Sequence, residues 1–142
     1  MCSYKTRILN QMIQLGTILK ITDKTGVVLG QCIKVLNVRN HRIAGIGDVI
    51  LISVKWVNVK RLALAKARIQ KRYKIGTMHR AMIIRTRTNY QIMAGVHVRF
   101  NENAAIIVSK KRIALSNRVY GPVLRNMCLR YPWLGCISRL IV

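Results

Sequence analysis

Apolar and polar residues alternate with a period of two along most of this chain, the pattern of half-buried β-strands. Leu19, Ile21 and Asp23 oppose Ile18, Lys20 and Thr22. After Asp48, the residues Ile50, Ile52, Val54 and Trp56 share one face, and Leu51, Ser53 and Lys55 share the other. Ala81, Ile83, Arg85 and Arg87 oppose Met82, Ile84, Thr86 and Thr88; Val96, Val98 and Phe100 oppose His97 and Arg99. Residues 31–36 read as a β-branched-rich strand and 104–108 as a short apolar one. Turn signals separate these runs: Asp23-Lys24-Thr25-Gly26 suits a type I turn, Gly45-Ile46-Gly47-Asp48 is a second break, and Asn101-Glu102-Asn103 is a tight connection. Six or so strands at this spacing, with helices only near the end, predict a mainly β chain forming a small closed barrel.

Two regions depart from the alternation. Residues 60–74 are dense in charge, with Leu62, Ala65 and Ile69 at helical spacing, and read as a basic helix or long hairpin ordered on a partner. After Gly121-Pro122, the residues Val123, Leu124, Met127 and Leu134 fit one or two short helices, the second started by Pro132.

Charge changes the picture most. The 142 residues carry 26 Lys and Arg against three acids, a formal net charge of +23, while 51% of residues are apolar. The apolar half excludes charge-driven disorder. The self-repulsion of such a compact chain calls for a polyanion, and the balance points to RNA in a large assembly. Four cysteines (Cys2, Cys32, Cys128, Cys136) form no Cys-x-x-Cys pair, and His41, His79 and His97 do not stand at zinc spacing beside them. They read as free thiols, Cys32 in a strand and Cys128 and Cys136 on packed faces, so neither metal nor other cofactor is expected. Residues 1–11 are basic and acid-free and read as a short RNA-bound or ordered arm rather than a transit peptide.

Enzymatic readings find little support. Asp23, Asp48 and Glu102 fall at turns, where orienting backbone is the expected role, and no nucleophile elbow, P-loop or dinucleotide fingerprint is present. The basic side chains carry the signal. Arg39, His41 and Arg42 lie in a loop. Lys60, Arg61, Lys66, Arg68, Lys71, Arg72 and Lys74 fill the basic insertion. Arg85, Arg87 and Arg99 take solvent-side strand positions, and Arg118, Arg125 and Arg130 lie toward the C-terminus. Guanidinium groups fork onto phosphates and position folded RNA without reading much sequence. Phe100 and Trp56 are expected in the core, and Tyr73, Tyr90 and Tyr120 are candidates for RNA contact. The rival reading is a free single-strand RNA- or DNA-binding chaperone of the OB type, which needs a face of exposed aromatics that the sequence does not supply.

Specific strings then match a family. Met12-Ile13-Gln14, Asp23 to Gly26, Cys32-Ile33-Lys34-Val35-Leu36, Gly45-Ile46-Gly47-Asp48-Val49-Ile50, Arg85-Thr86, Arg99-Phe100, Asn103-Ala104 and Gly121-Pro122-Val123 occur in order. Together they resemble the universal fourteenth protein of the large ribosomal subunit, over residues 12–138. The resemblance implies a five-stranded barrel with one or two short C-terminal helices, bound to large-subunit rRNA near the subunit interface. It implies intersubunit bridges to small-subunit rRNA, neighbours of the L-three and L-nineteen types, and docking of a ribosome silencing factor. By the same analogy Lys110, Lys111, Arg112 and Asn117, in the 109–117 loop, face the small subunit.

The sequence departs from the family in an extra segment at 1–11, a longer stretch at 56–74, replacement of a basic turn by residues 88–95, and loss of a Pro-Glu near the C-terminus. The resulting domain plan is an extension at 1–11 and a barrel domain at 12–142, with the basic insertion near 57–74 and a helical segment from about 121. The shortage of acids points to an organellar ribosome, mitochondrial in preference to plastid, and a start at Met1 fits synthesis inside the organelle.

Overall fold

A computed structural model describes residues 13–36, 43–63, 72–93 and 95–142. Nine strands run in chain order: β1 Ile18–Ile21, β2 Val27–Val35, β3 Val49–Val57, β4 Met78–Arg85, β5 Tyr90–Met93, β6 Val96–Val98, β7 Ala104–Ile107, β8 Val119–Val123 and β9 Ser138–Ile141. Three short helices accompany them: α1 Val59–Ala63, α2 Arg125–Arg130 and α3 Pro132–Ile137. Strands β1-β2-β3-β4-β7 form a closed barrel. Closure is made by the parallel pair β1–β7, with Lys20 opposite Ala104 and Ile21 opposite Ala105. A closed sheet leaves no ladder edge in the barrel.

The interior follows from the alternation. Leu19, Ile50, Ile52, Val54, Ala81, Ile83, Ala105 and Ile107 are completely buried. Gly30 makes room for this core: a Cβ there would stand 2.8 Å from Ile52 Cδ1 and 3.6 Å from Ile21 Cδ1. Ile52 therefore occupies the volume a side chain on β2 would need.

Strand β4 is also covered on its other face, because Met82 and Ile84 are buried too. The turn before β3 lies against β4, and the C-terminal unit lies against that turn. Gly47 N donates to Ile83 O at 2.8 Å, and Met127 Sδ lies 3.1 Å from the position a Gly47 Cβ would take. The two C-terminal helices form as the apolar spacing predicts, with Pro132 in the first turn of α3 and with Leu124, Met127 and Leu134 buried.

The structure corrects the sequence reading in several places. Trp56 shares parity with Ile50, Ile52 and Val54 yet is 60% exposed. The β2–β3 register shifts between Leu29 and Gly30, so that Gly30 faces Val54 and Leu29 faces Trp56. One extra β3 residue at this bulge inverts the parity and turns the indole outward. Residues 96–98 pair with β5 in a separate two-stranded sheet rather than joining the barrel, while Phe100 is buried as expected. Strand β2 begins four residues earlier than the β-branched run suggests. The C-terminal helices are bracketed by a parallel pair, β8–β9, that the pattern does not reveal. Parallel partners so far apart in sequence leave no hairpin signal. Cys32 is buried in its strand, but Cys136 is exposed rather than packed.

Candidate nucleic-acid interface

The three acids are committed to the fold. Asp23 is buried and accepts from Thr25 N and Ile107 N at 3.0 and 2.9 Å, and from the Thr25 hydroxyl. Burial pushes its carboxyl above the ordinary 3.8, against those hydrogen bonds. Asp48 Oδ2 accepts from Gly45 N at 2.9 Å and closes the turn before β3. Glu102 takes Lys20 Nζ at 3.0 Å and Arg85 Nη2 at 2.8 Å. Partial burial works against its ionised form, but the hydrogen bonds from Lys20 and Arg85 prevail and hold its carboxyl below the ordinary 4.5.

Arg85 corrects the sequence reading. It is expected on the solvent side, yet only 2% of it is exposed. It shares parity with the buried Ala81 and Ile83, and β8 lies over this end of β4. Its Nη1 donates to Tyr120 O and Pro122 O, both at 3.0 Å. Gly121 lets β8 come this close: with φ +87°, it would place a Cβ 2.6 Å from Arg85 Nη1. Arg85 is thus a clamp between barrel, 101–103 turn and C-terminal unit, with its Nε buried and lacking a hydrogen-bond partner.

The basic insertion is tied to the barrel at both described ends. Asn58 N donates to Gly26 O at 2.8 Å, and Leu62 packs over the backbone of Gly26. At the other end Tyr73, a candidate RNA contact by sequence, is buried instead, its ring 4.9 Å from that of His79. His79 Nε2 is hydrogen-bonded to Thr77 Oγ1 and Arg72 O, both at 3.0 Å. Burial pulls the imidazole below its ordinary 6.5, so His79 favours the neutral form.

The remaining cations decorate this frame. Lys60, Arg61, Arg72, Lys74, Arg87, Arg99, Arg118, Arg125 and Arg130 are exposed, as are Lys110, Lys111, Arg112 and Asn117. Arg39, His41, Arg42, Lys66, Arg68 and Lys71 lie outside the described residues. Several of the exposed cations are held by local contacts. Arg87 and Arg99 flank the 101–103 turn, where Arg87 Nε donates to Asn101 O at 2.9 Å and Arg87 N to Asn103 Oδ1 at 2.9 Å. Arg61 lies over the Tyr120 ring, 5.4 Å from its centroid, which orders one insertion cation against β8. Arg118 adjoins Ser116, whose hydroxyl accepts from Lys24 N at 3.0 Å in the turn after β1. Arg130 lies 5.5 Å from the Tyr131 ring centroid. Exposed Arg80 joins Lys110 and Arg112, a cation the sequence reading misses; its parity with exposed Met78 is the signal that could have found it.

Such an arrangement can neutralise phosphates from several sides. No trio of His, Cys, Asp or Glu able to hold a metal ion occurs among the described residues. None of the described helices is long and apolar enough to cross a membrane. A family model described as Ribosomal protein L14p/L23e matches residues 12–139.

Proposed function

The chain belongs to the ribosomal protein L14p/L23e family, and from this premise we propose that it serves a mitochondrial ribosome at the interface between the subunits. As a family member it is a structural protein of the large subunit and binds rRNA. In the finer reading, Arg87, Arg99, Arg118, Arg125 and Arg130, with the insertion cations Lys60 to Lys74, take large-subunit rRNA. The clamp residue Arg85 organises this surface instead of contacting RNA. Lys110, Lys111, Arg112 and Asn117 reach small-subunit rRNA and contribute to intersubunit bridges. Neighbours of the L-three and L-nineteen types pack alongside, and a ribosome silencing factor docks on the same face.

One observation carries the RNA-contact reading. The carboxylates of Asp23 and Asp48 are taken by backbone amides, and Glu102 serves Lys20 and Arg85. Three acids so used cannot neutralise 26 cations. The exposed groups therefore need an external polyanion. The mitochondrial assignment rests on the same shortage of acids.

Charge reversal of Arg39 and Arg42 together tests the loop assignment. The doubly substituted chain is expected to incorporate poorly into large subunits, read as its share of the large-subunit peak on a sucrose gradient. Sedimentation equal to that of the unsubstituted chain would remove Arg39 and Arg42 from the rRNA contacts.

A further inference from the structure

Between the start of β3, the middle of β4 and the turn after β7 lies a small cavity of about 80 Å³, lined by Leu36, Val49, Arg80, Ser109, Lys110 and Arg112. Three cations line one hole, and none of the chain's three carboxylates is among its walls. In a chain of net charge +23 such convergence is costly unless an anion enters, and the apolar walls Leu36 and Val49 strengthen the field inside.

The turn that brings the cations together is built with care. Ser109 N donates to Ile113 O at 2.8 Å and Arg112 N to Ser109 O at 3.0 Å. Ser109 Oγ accepts from Ile113 N at 3.3 Å, which leaves the hydroxyl hydrogen to donate into the cavity. From the barrel side, Val108 N donates to Arg80 O at 2.9 Å and fixes β4 against the turn. Among the described residues, Arg112 alone is a non-glycine with positive φ, at 61°. An arginine in this region carries backbone strain that asparagine or glycine would lessen. Backbone strain of this kind clusters at ligand-binding sites.

We infer that Arg80, Ser109, Lys110 and Arg112 form a cradle for one phosphate group of an RNA backbone. The volume is several times the roughly 10–15 Å³ that one water needs on the same measure, room for a single tetrahedral oxyanion. The inference rests on the rRNA-binding reading above. It adds Arg80, which that reading does not use, and gives Arg112 a stated ligand.

The test uses the full-length chain, its Arg80→Gln variant and its Arg112→Gly variant. Glycine suits the positive φ, so R112G removes the cation while the turn keeps its backbone conformation. In one arm, each protein is melted in inorganic phosphate and in chloride at equal ionic strength. The unsubstituted chain should melt higher in phosphate, and both variants should lose that increment. In the other arm, binding to a small-subunit rRNA fragment is followed against salt. Each variant should bind about tenfold more weakly near 0.1 M salt, with the log–log salt slope reduced by about one. Variants that keep both the phosphate increment and the slope overturn the cradle. Loss of the increment with an unchanged slope marks a site for free anions and overturns the RNA assignment. An unsubstituted chain that stabilises in phosphate yet fails to bind rRNA counts instead against the broader reading.

Discussion

Replacing Arg85 with methionine is expected to destabilise the chain by about 2–4 kcal/mol, the cost of leaving two carbonyls without their donor. Methionine preserves much of the volume, so the loss reads polar contacts rather than a cavity. The carbonyls of Tyr120 and Pro122 lose their shared donor, and Glu102 keeps only the exposed Lys20. For a chain of this length the melting temperature should fall by about 10 °C. Lysine at the same position keeps the charge but cannot reach two carbonyls and a carboxylate with one fork, so R85K should recover less than half of the loss. Urea denaturation of the three proteins gives the comparison. A change under about 1 kcal/mol in R85M, typical of a surface pair, would show that Arg85 does not clamp the C-terminal unit.

The second large effect concerns RNA. Changing Arg87, Arg99 and Arg118 together to glutamine should weaken binding to large-subunit rRNA by about 100- to 1,000-fold near 0.1 M salt, with the salt slope falling by two to three units. All three are exposed, so the folded stability should change by less than about 1 kcal/mol. Fluorescence titration over a series of salt concentrations reads affinity and slope together. A loss below threefold would mean that these side chains are solvated charges rather than phosphate contacts.

Much of the barrel is legible because its interior is built by alternation alone. Ile50, Ile52 and Val54 on β3, and Ala81 and Ile83 on β4, point inward as the period-two pattern requires. The pattern fails where the ladder is irregular. The bulge opposite Leu29 and Gly30 inverts parity at Trp56, and a bulge leaves no mark in hydropathy. Arg85 fails for a different reason. Its parity was correct and inward, but a charged residue reads as solvent-facing unless the groups that cover it are known. Those groups, the carbonyls of Tyr120 and Pro122, are more than 30 residues away. Tyr73 is similar: its burial depends on the barrel end on which the insertion closes. The cations of the interface were visible as composition, but their grouping was not, since Arg80, Lys110 and Arg112 meet only through the β4–β7 pairing.

The most direct measurement is where this chain sediments in a mitochondrial extract after a high-salt wash and ultraviolet cross-linking. It should stay with the large subunit and be cross-linked to that subunit's rRNA through peptides carrying Arg87, Arg99 or Arg118. Recovery at the top of the gradient, or cross-links confined to free RNA, would contradict the account.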